Sequence, residues 1–167
     1  MKKLASRSAQ YPLVAEFAFD YNDWVVDSVD RTKKTLGSTV AASKDPGEAA
    51  LTGPVANTIV FDCIPLPVGA VVCGGELIVE EAVTGSTAAT ITLGIAGATT
   101  SLLGSTSLMA TAGTRTALLL TSALQSNAAG NNVRATIAYT VANATAGKAR
   151  VRIMYTIDSR VSEVQIA

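Results

Sequence analysis

Val133-Arg-Ala-Thr-Ile-Ala-Tyr-Thr-Val-Ala142, then Asn143-Ala-Thr-Ala-Gly147, then Lys148-Ala-Arg-Val-Arg-Ile-Met-Tyr-Thr-Ile-Asp158, is the stretch whose reading decides the fold. Two alternating runs flank a polar, glycine-containing break, the pattern of a β-hairpin. Successive strand side chains point to opposite faces, so Val133, Ala135, Ile137, Tyr139 and Val141 share one face of the first run. Val151, Ile153, Tyr155 and Ile157 share one face of the second, with Arg150, Arg152 and Asp158 opposite. Each Ile, Val or Tyr removed from water contributes roughly 1.5–3 kcal/mol before chain entropy is set against it. A lone hairpin cannot bury such faces, so the rest of the chain is expected to supply a facing sheet.

Other segments repeat the pattern. Leu13, Ala15, Phe17, Phe19 and Tyr21 alternate with Val14, Glu16, Ala18 and Asp20, which predicts a strand near 13–21. Asn22-Asp23 turns the chain toward a short return strand, Trp24-Val25-Val26. Asp30 to Leu36 reads as a short helix or a solvated connection. Lys44-Asp45-Pro46-Gly47 has the residues of a turn. Thr58 to Ile64 reads as a strand, and Pro65-Leu66-Pro67-Val68-Gly69 as a loop, because prolines remove ladder donors. Ala70 to Val83 reads as a long strand with a bulge or bend at Gly74-Gly75. Ala89, Ile91, Leu93 and Ile95 form one more apolar face, between turns at Gly85-Ser86 and Gly97-Ala98. Leu102-Leu103 and Leu118-Leu119-Leu120 are candidate short strands. Ser126 to Asn132 reads as a polar turn.

Strands at short, turn-punctuated intervals predict an all-β, antiparallel β-sandwich or jelly-roll-like domain. The expected division is an N-terminal arm and extension over 1–55 and the sandwich over 56–167. Residues 1–12 are expected to be an arm that orders against a partner.

The chain has 167 residues, 49% hydrophobic and 16% charged, against about 25% charged in ordinary domains. No apolar run approaches the ~20 residues of a helical membrane span, and no aromatic girdles suggest a membrane barrel. Low charge with small apolar side chains points instead to subunit association. Net charge is zero, which leaves no bulk case for nucleic-acid binding. Charge is unevenly placed: residues 51–114 carry −4 and residues 115–167 carry +4. Cross-strand pairing of Glu76 and Glu80 with Arg150 or Arg152 is the expected consequence, with complementarity between subunits as the alternative. Met1-Lys2-Lys3 is not followed by an apolar core of signal-peptide length, so synthesis and folding in a cytoplasm are expected.

Catalytic chemistry is sparse. The chain has no histidine, which removes the commonest general base. It has no Gly-x-Ser-x-Gly elbow and no Gly-Lys-Ser/Thr phosphate loop. Asp20, Asp23, Asp27 and Asp30 recur every three or four residues without a calcium loop's central Gly and closing Glu, and read as turn or solvated residues. Glu80 and Glu81 point to opposite faces of a strand and read as surface charges. Cys63 and Cys73 are too far apart for a redox motif and lack zinc partners; both are expected reduced and buried, with a disulfide as the alternative. Phe17, Phe19, Tyr21 and Trp24 read as core or interface anchors. No catalytic residue, cofactor or metal ligand is therefore expected, and the chain is expected not to be an enzyme.

One resemblance adds to this. Phe61-Asp-Cys-Ile-Pro-Leu-Pro-Val-Gly-Ala-Val-Val-Cys-Gly-Gly-Glu-Leu-Ile-Val79, Thr114-Arg115-Thr116-Ala117-Leu118, Ala144 to Arg152, Tyr155 to Arg160 and Glu163-Val164-Gln165 resemble the head decoration, or cement, proteins of tailed bacteriophages. The matching blocks lie within residues 56–165 and are turns and strands, with no catalytic signature among them. The resemblance implies a β-sandwich subunit, often a trimer, that binds the major capsid protein on the outside of an expanded shell and stabilises it. The protein would then reside in the virion. Rival readings are another virion component, such as a head-fibre base or tail accessory protein, and a carbohydrate-binding module. The last requires an exposed aromatic platform.

Overall fold

The computed structural model describes residues 12–29, 31, 33–37, 58–120, 131–140 and 143–157. Ten strands follow in order: β1 (Leu13–Asp20), β2 (Trp24–Val26), β3 (Lys33–Thr35), β4 (Thr58–Leu66), β5 (Ala70–Thr84), β6 (Ala88–Ile95), β7 (Ala98–Ser107), β8 (Arg115–Ala117), β9 (Asn131–Thr140) and β10 (Ala146–Ile157). One sheet runs β1-β10-β5-β8 and the other β4-β9-β6-β7, while β2 and β3 form a separate two-stranded hairpin. Every pairing is antiparallel. Counting only the eight sandwich strands, the orders are 1-8-3-6 and 2-7-4-5, which is the jelly-roll arrangement.

The two inner faces form one core. Ile59, Phe61, Ile91, Leu93, Val133 and Ile137 of one sheet cluster with Phe19, Leu77, Val151 and Ile153 of the other, all buried. The ring of Phe61 lies 5.8 Å from that of Phe17 and 6.4 Å from that of Phe19, within the spacing of favourable aromatic pairs. The alternation read in β6, β9 and β10 holds at the strand centres, where Ala89, Ile91, Leu93, Val133, Ala135, Ile137, Tyr139, Val151 and Ile153 are buried. Ile95, Tyr155 and Ile157 are half-buried, and on β1 only Phe19 is buried and Leu13 is exposed. β1 pairs with β10 along its whole length, so this sheet takes strands from both sides of residue 55.

β9 and β10 do not form a hairpin with each other. β9 pairs with β4 and β6, whereas β10 pairs with β1 and β5 in the opposite sheet. The polar break crosses the sandwich, and its amides are taken up by other elements: Ala144 N donates to Gly37 O at 2.7 Å and Thr145 N to Thr84 O at 2.8 Å. The apolar faces of β9 and β10 thus meet each other across the core instead of lying side by side, which buries both. β6 and β7 form the one in-sheet hairpin of the sandwich among the described residues.

Three local expectations change. Residues 33–35, expected as helix or solvated connection, are β3, paired with β2. β4 runs through Pro65 to Leu66; it is an outer strand, where a missing donor costs no ladder bond. The chain turns after it at Val68-Gly69, where Gly69 has φ 74° and Ala70 N donates to Pro67 O at 3.1 Å. Leu102 and Leu103 lie within the ten-residue β7, but β8 covers Arg115–Ala117 and leaves Leu119 and Leu120 exposed beyond its end. The expected bend in β5 is present as a register shift between Met154/Gly74 and Tyr155/Val72. Of the arm expected over 1–12 only Pro12 is described; Asp30, the Lys44–Gly47 turn and residues 126–130 lie outside the described residues, and Asn131 and Asn132, expected in a polar turn, begin β9.

Candidate functional site

The outer face of the β1-β10-β5-β8 sheet carries a ladder of alternating charge. Register sets Glu16 opposite Arg152, and Arg152 opposite Glu76, across three strands. Arg152 Nε lies 2.5 Å from Glu16 Oε1, and its Nη1 lies 3.3 Å from Glu76 Oε1. Arg115 on β8 reaches the same Glu76 oxygen at 2.7 Å. Arg150 joins Glu80 at 2.6 Å to Glu16 at 3.4 Å, and Lys148 lies 3.7 Å from Glu80. The hydrogen bond from Arg152 leads the effects that hold the Glu16 carboxyl below its ordinary value. The pairing expected of Glu76 and Glu80 with Arg150 and Arg152 is therefore present within the chain. It accounts for much of the opposite charge of the two sequence segments. Such solvent-facing pairs contribute little stability each, roughly 0–1 kcal/mol.

The other sheet's outer face is nearly free of charge. Its ion pair, Asp62 on β4 with Arg134 on the facing position of β9, closes at 2.8 Å, and Asn132 Nδ2 donates to the same carboxylate at 3.1 Å. Partial burial would raise the Asp62 pKa, but these bonds outweigh it and hold the carboxyl below its usual range. Beside Asp62 lies a groove of about 340 Å³ lined by Phe17, Val25, Val26, Ser28, Arg31 and Phe61, between the edge strands β1 and β4 and the β2–β3 hairpin.

The aspartate series is divided by the fold. Asp20 and Asp23 make a turn: Asp23 Oδ2 accepts from Asp20 N at 2.7 Å, and Asp20 Oδ1 from Asn22 N at 3.1 Å. Asp27, expected to be a turn or solvated residue, is instead 2% exposed and paired with Lys34 at 2.9 Å, itself 3% exposed. Burial pushes the Asp27 carboxyl up, but hydrogen bonds from Lys34, Val60 N and Val29 N prevail and hold it below its ordinary value. Nothing in the residue order singles out Lys34. Its burial follows from its place opposite Val25, whose side chain packs against the core.

The aromatic cluster is divided as well. Phe19 is buried and Phe17 and Tyr21 pack on the core, whereas Trp24 is half-exposed with the Lys33 ammonium 4.6 Å from its ring centroid. The two thiols lie in different sheets. Cys63 is buried, donates to Val133 O at 3.3 Å, and has its pKa pushed up to about 12 by burial. Cys73, expected to be buried, is exposed on β5, because the register shift beside it swings it out of the inward series. Near it, Val14 and Met154 face each other on β1 and β10 and leave an apolar end to the otherwise charged face.

Among the described residues, no group of three or more His, Cys, Asp or Glu side chains is placed to hold a metal ion. No described helix is long and apolar enough to cross a membrane. The cited carboxylates and guanidiniums are engaged with one another, so their arrangement fixes strands and shapes surfaces.

No protein-family model and no curated protein matches the chain. Among solved structures, a chain of the cyanophage Pam1 capsid asymmetric unit is similar, with a TM-score of 0.52 and 19% identity over 94% of each chain. At that identity the likeness is one of fold, and it spans nearly the whole jelly roll.

Proposed function

We propose that this chain is a non-enzymatic structural protein of a bacteriophage virion. It acts as a decoration subunit that binds the outside of the capsid and stabilises the shell. The observation that carries the reading is the jelly roll, shared over 94% of the chain with a protein of a phage capsid asymmetric unit. The blocks that resemble cement proteins fall largely on β4, β5, β8 and β10 of this same sandwich. The proposed partner is the major capsid protein, and the proposed assembly is a homotrimer made in the host cytoplasm and resident in the virion. A subunit that binds only the assembled shell lowers the shell's free energy by mass action. A charge ladder satisfied within one face, beside a second face nearly free of charge, suits a subunit with solvent on one side and protein on the other.

The test is co-sedimentation of the purified protein with empty, expanded shells that lack it, titrated to saturation. Saturable binding at a fixed ratio to the shell subunit is expected, together with a higher dissociation temperature of the decorated shells. Absence of binding by a folded, stable oligomer would refute the decoration role and favour a tail or fibre component.

A further inference from the structure

We propose that the β2–β3 hairpin is a strap over the open edge of β4, fastened by Asp27, and that it keeps this edge from adding the β4 strand of a second copy of the chain. β4 is an outer strand, with β9 on its one paired side. Alternate residues of such a strand turn both backbone groups away from the paired neighbour. Val60 is one of them. Its carbonyl accepts from Ser28 N at 2.6 Å, and its N–H donates to Asp27 Oδ2 at 3.1 Å. A backbone amide and a carboxylate thereby occupy both groups that an added strand would need. The fastening is rigid: Asp27 also accepts from Val29 N at 2.8 Å and from Lys34 Nζ at 2.9 Å, and both charged side chains are buried. Farther along the same edge, Pro65 has no N–H to offer.

The edge beneath the strap is self-complementary. Two β4 strands paired antiparallel about Val60 would exchange both Val60 N–H···O bonds, replacing the ones that Asp27 and Ser28 now make. The same register sets Asp62 opposite Thr58, so no like charges oppose each other. This match makes a second copy the occupant that fits the released edge.

The test uses the full chain with Asp27→Leu and Lys34→Met together, which removes both buried charges and strands neither. Amide hydrogen exchange and light scattering over a concentration series are the readouts. In dilute solution, below the rise in mass, Val60 is expected to lose protection while Ile91 and Ile137, in the interior strands, keep theirs. Apparent mass is expected to rise with concentration above that of the unaltered protein, and Val60→Pro added to the pair should restore the original mass. Unchanged protection at Val60 in dilute solution, or lost protection there without a gain in mass at higher concentration, overturns the proposal. Should the double variant fail to fold, the unaltered protein supplies the decision. Its Val60 amide should exchange ahead of Ile137 through opening of the strap, and equal protection at the two sites overturns the proposal.

Discussion

Replacing Ile153 by alanine tests whether the two sheets seal one core. Ile153 is fully buried on β10, and its register partners are Ala15 on β1 and Gly75 on β5. Neither neighbour has a side chain able to swing into the space left behind. The substitution removes three carbons, about 2.4 kcal/mol of transfer free energy at ~0.8 kcal/mol each. A residual cavity of roughly 80 Å³ adds about 1.9 kcal/mol at ~24 cal/mol per Å³. The expected loss is therefore about 4 kcal/mol, inside the roughly 2–5 kcal/mol typical of such truncations. For a domain of this length that lowers the melting temperature by roughly 8–16 °C. Urea unfolding followed by far-ultraviolet circular dichroism measures it, with an unchanged m-value showing that the transition stays comparable. Met154→Ala, one residue along and 37% exposed, is the control, and should cost less than about 1 kcal/mol. An Ile153→Ala loss under about 1 kcal/mol, or a Met154→Ala loss equal to it, would refute the assignment of inner and outer faces.

Acid is expected to weaken the fold through Asp27 and Asp62, whose folded pKa values lie below the ordinary 3.8. A depressed carboxyl contributes stability that is complete above its unfolded pKa and disappears as pH falls through the folded one. Stability should therefore drop on acidification below about pH 4, and Asp27→Asn combined with Asp62→Asn should flatten that slope in urea titrations. Gly147→Ala is expected to destabilise by roughly 1–3 kcal/mol, because Gly147 has φ 146° and a Cβ there would sit 2.6 Å from Val83 Cγ2; thermal unfolding would show it. Of the two cysteines, Cys73 should react with a thiol-specific disulfide reagent in the native protein, while Cys63, buried and with its pKa at about 12, should react only after denaturation. Native labelling at Cys63 would contradict the burial.

The candidate surfaces were partly legible before folding. Glu76, Glu80, Arg150 and Arg152 were identifiable as partners because opposite charges on polar strand faces have few other places to go. Asp27 and Lys34 were not, since their burial depends on where the hairpin lands on β4, and β4 begins more than twenty residues beyond Lys34. Cys73 was misread because Gly74-Gly75 marks a bend but the pairing with β10 decides which residue the register shift turns outward.

The residue order by itself determined the long strands of the sandwich and most of their apolar faces, but not the short β3 and β8 or the end of β4. Alternation with period two is a property of a single strand, so Val133–Val141 and Val151–Ile157 could be read without knowing any partner. Which sheet each strand joins is a different quantity, set by competition among distant segments for the same edge. β10 lies between β1 and β5, and β9 between β4 and β6. Only the packed structure decided that these two sequence neighbours face each other across the core, because either placement could bury their apolar faces and the pairing of β10 with β1 and β5, and of β9 with β4 and β6, selects this one.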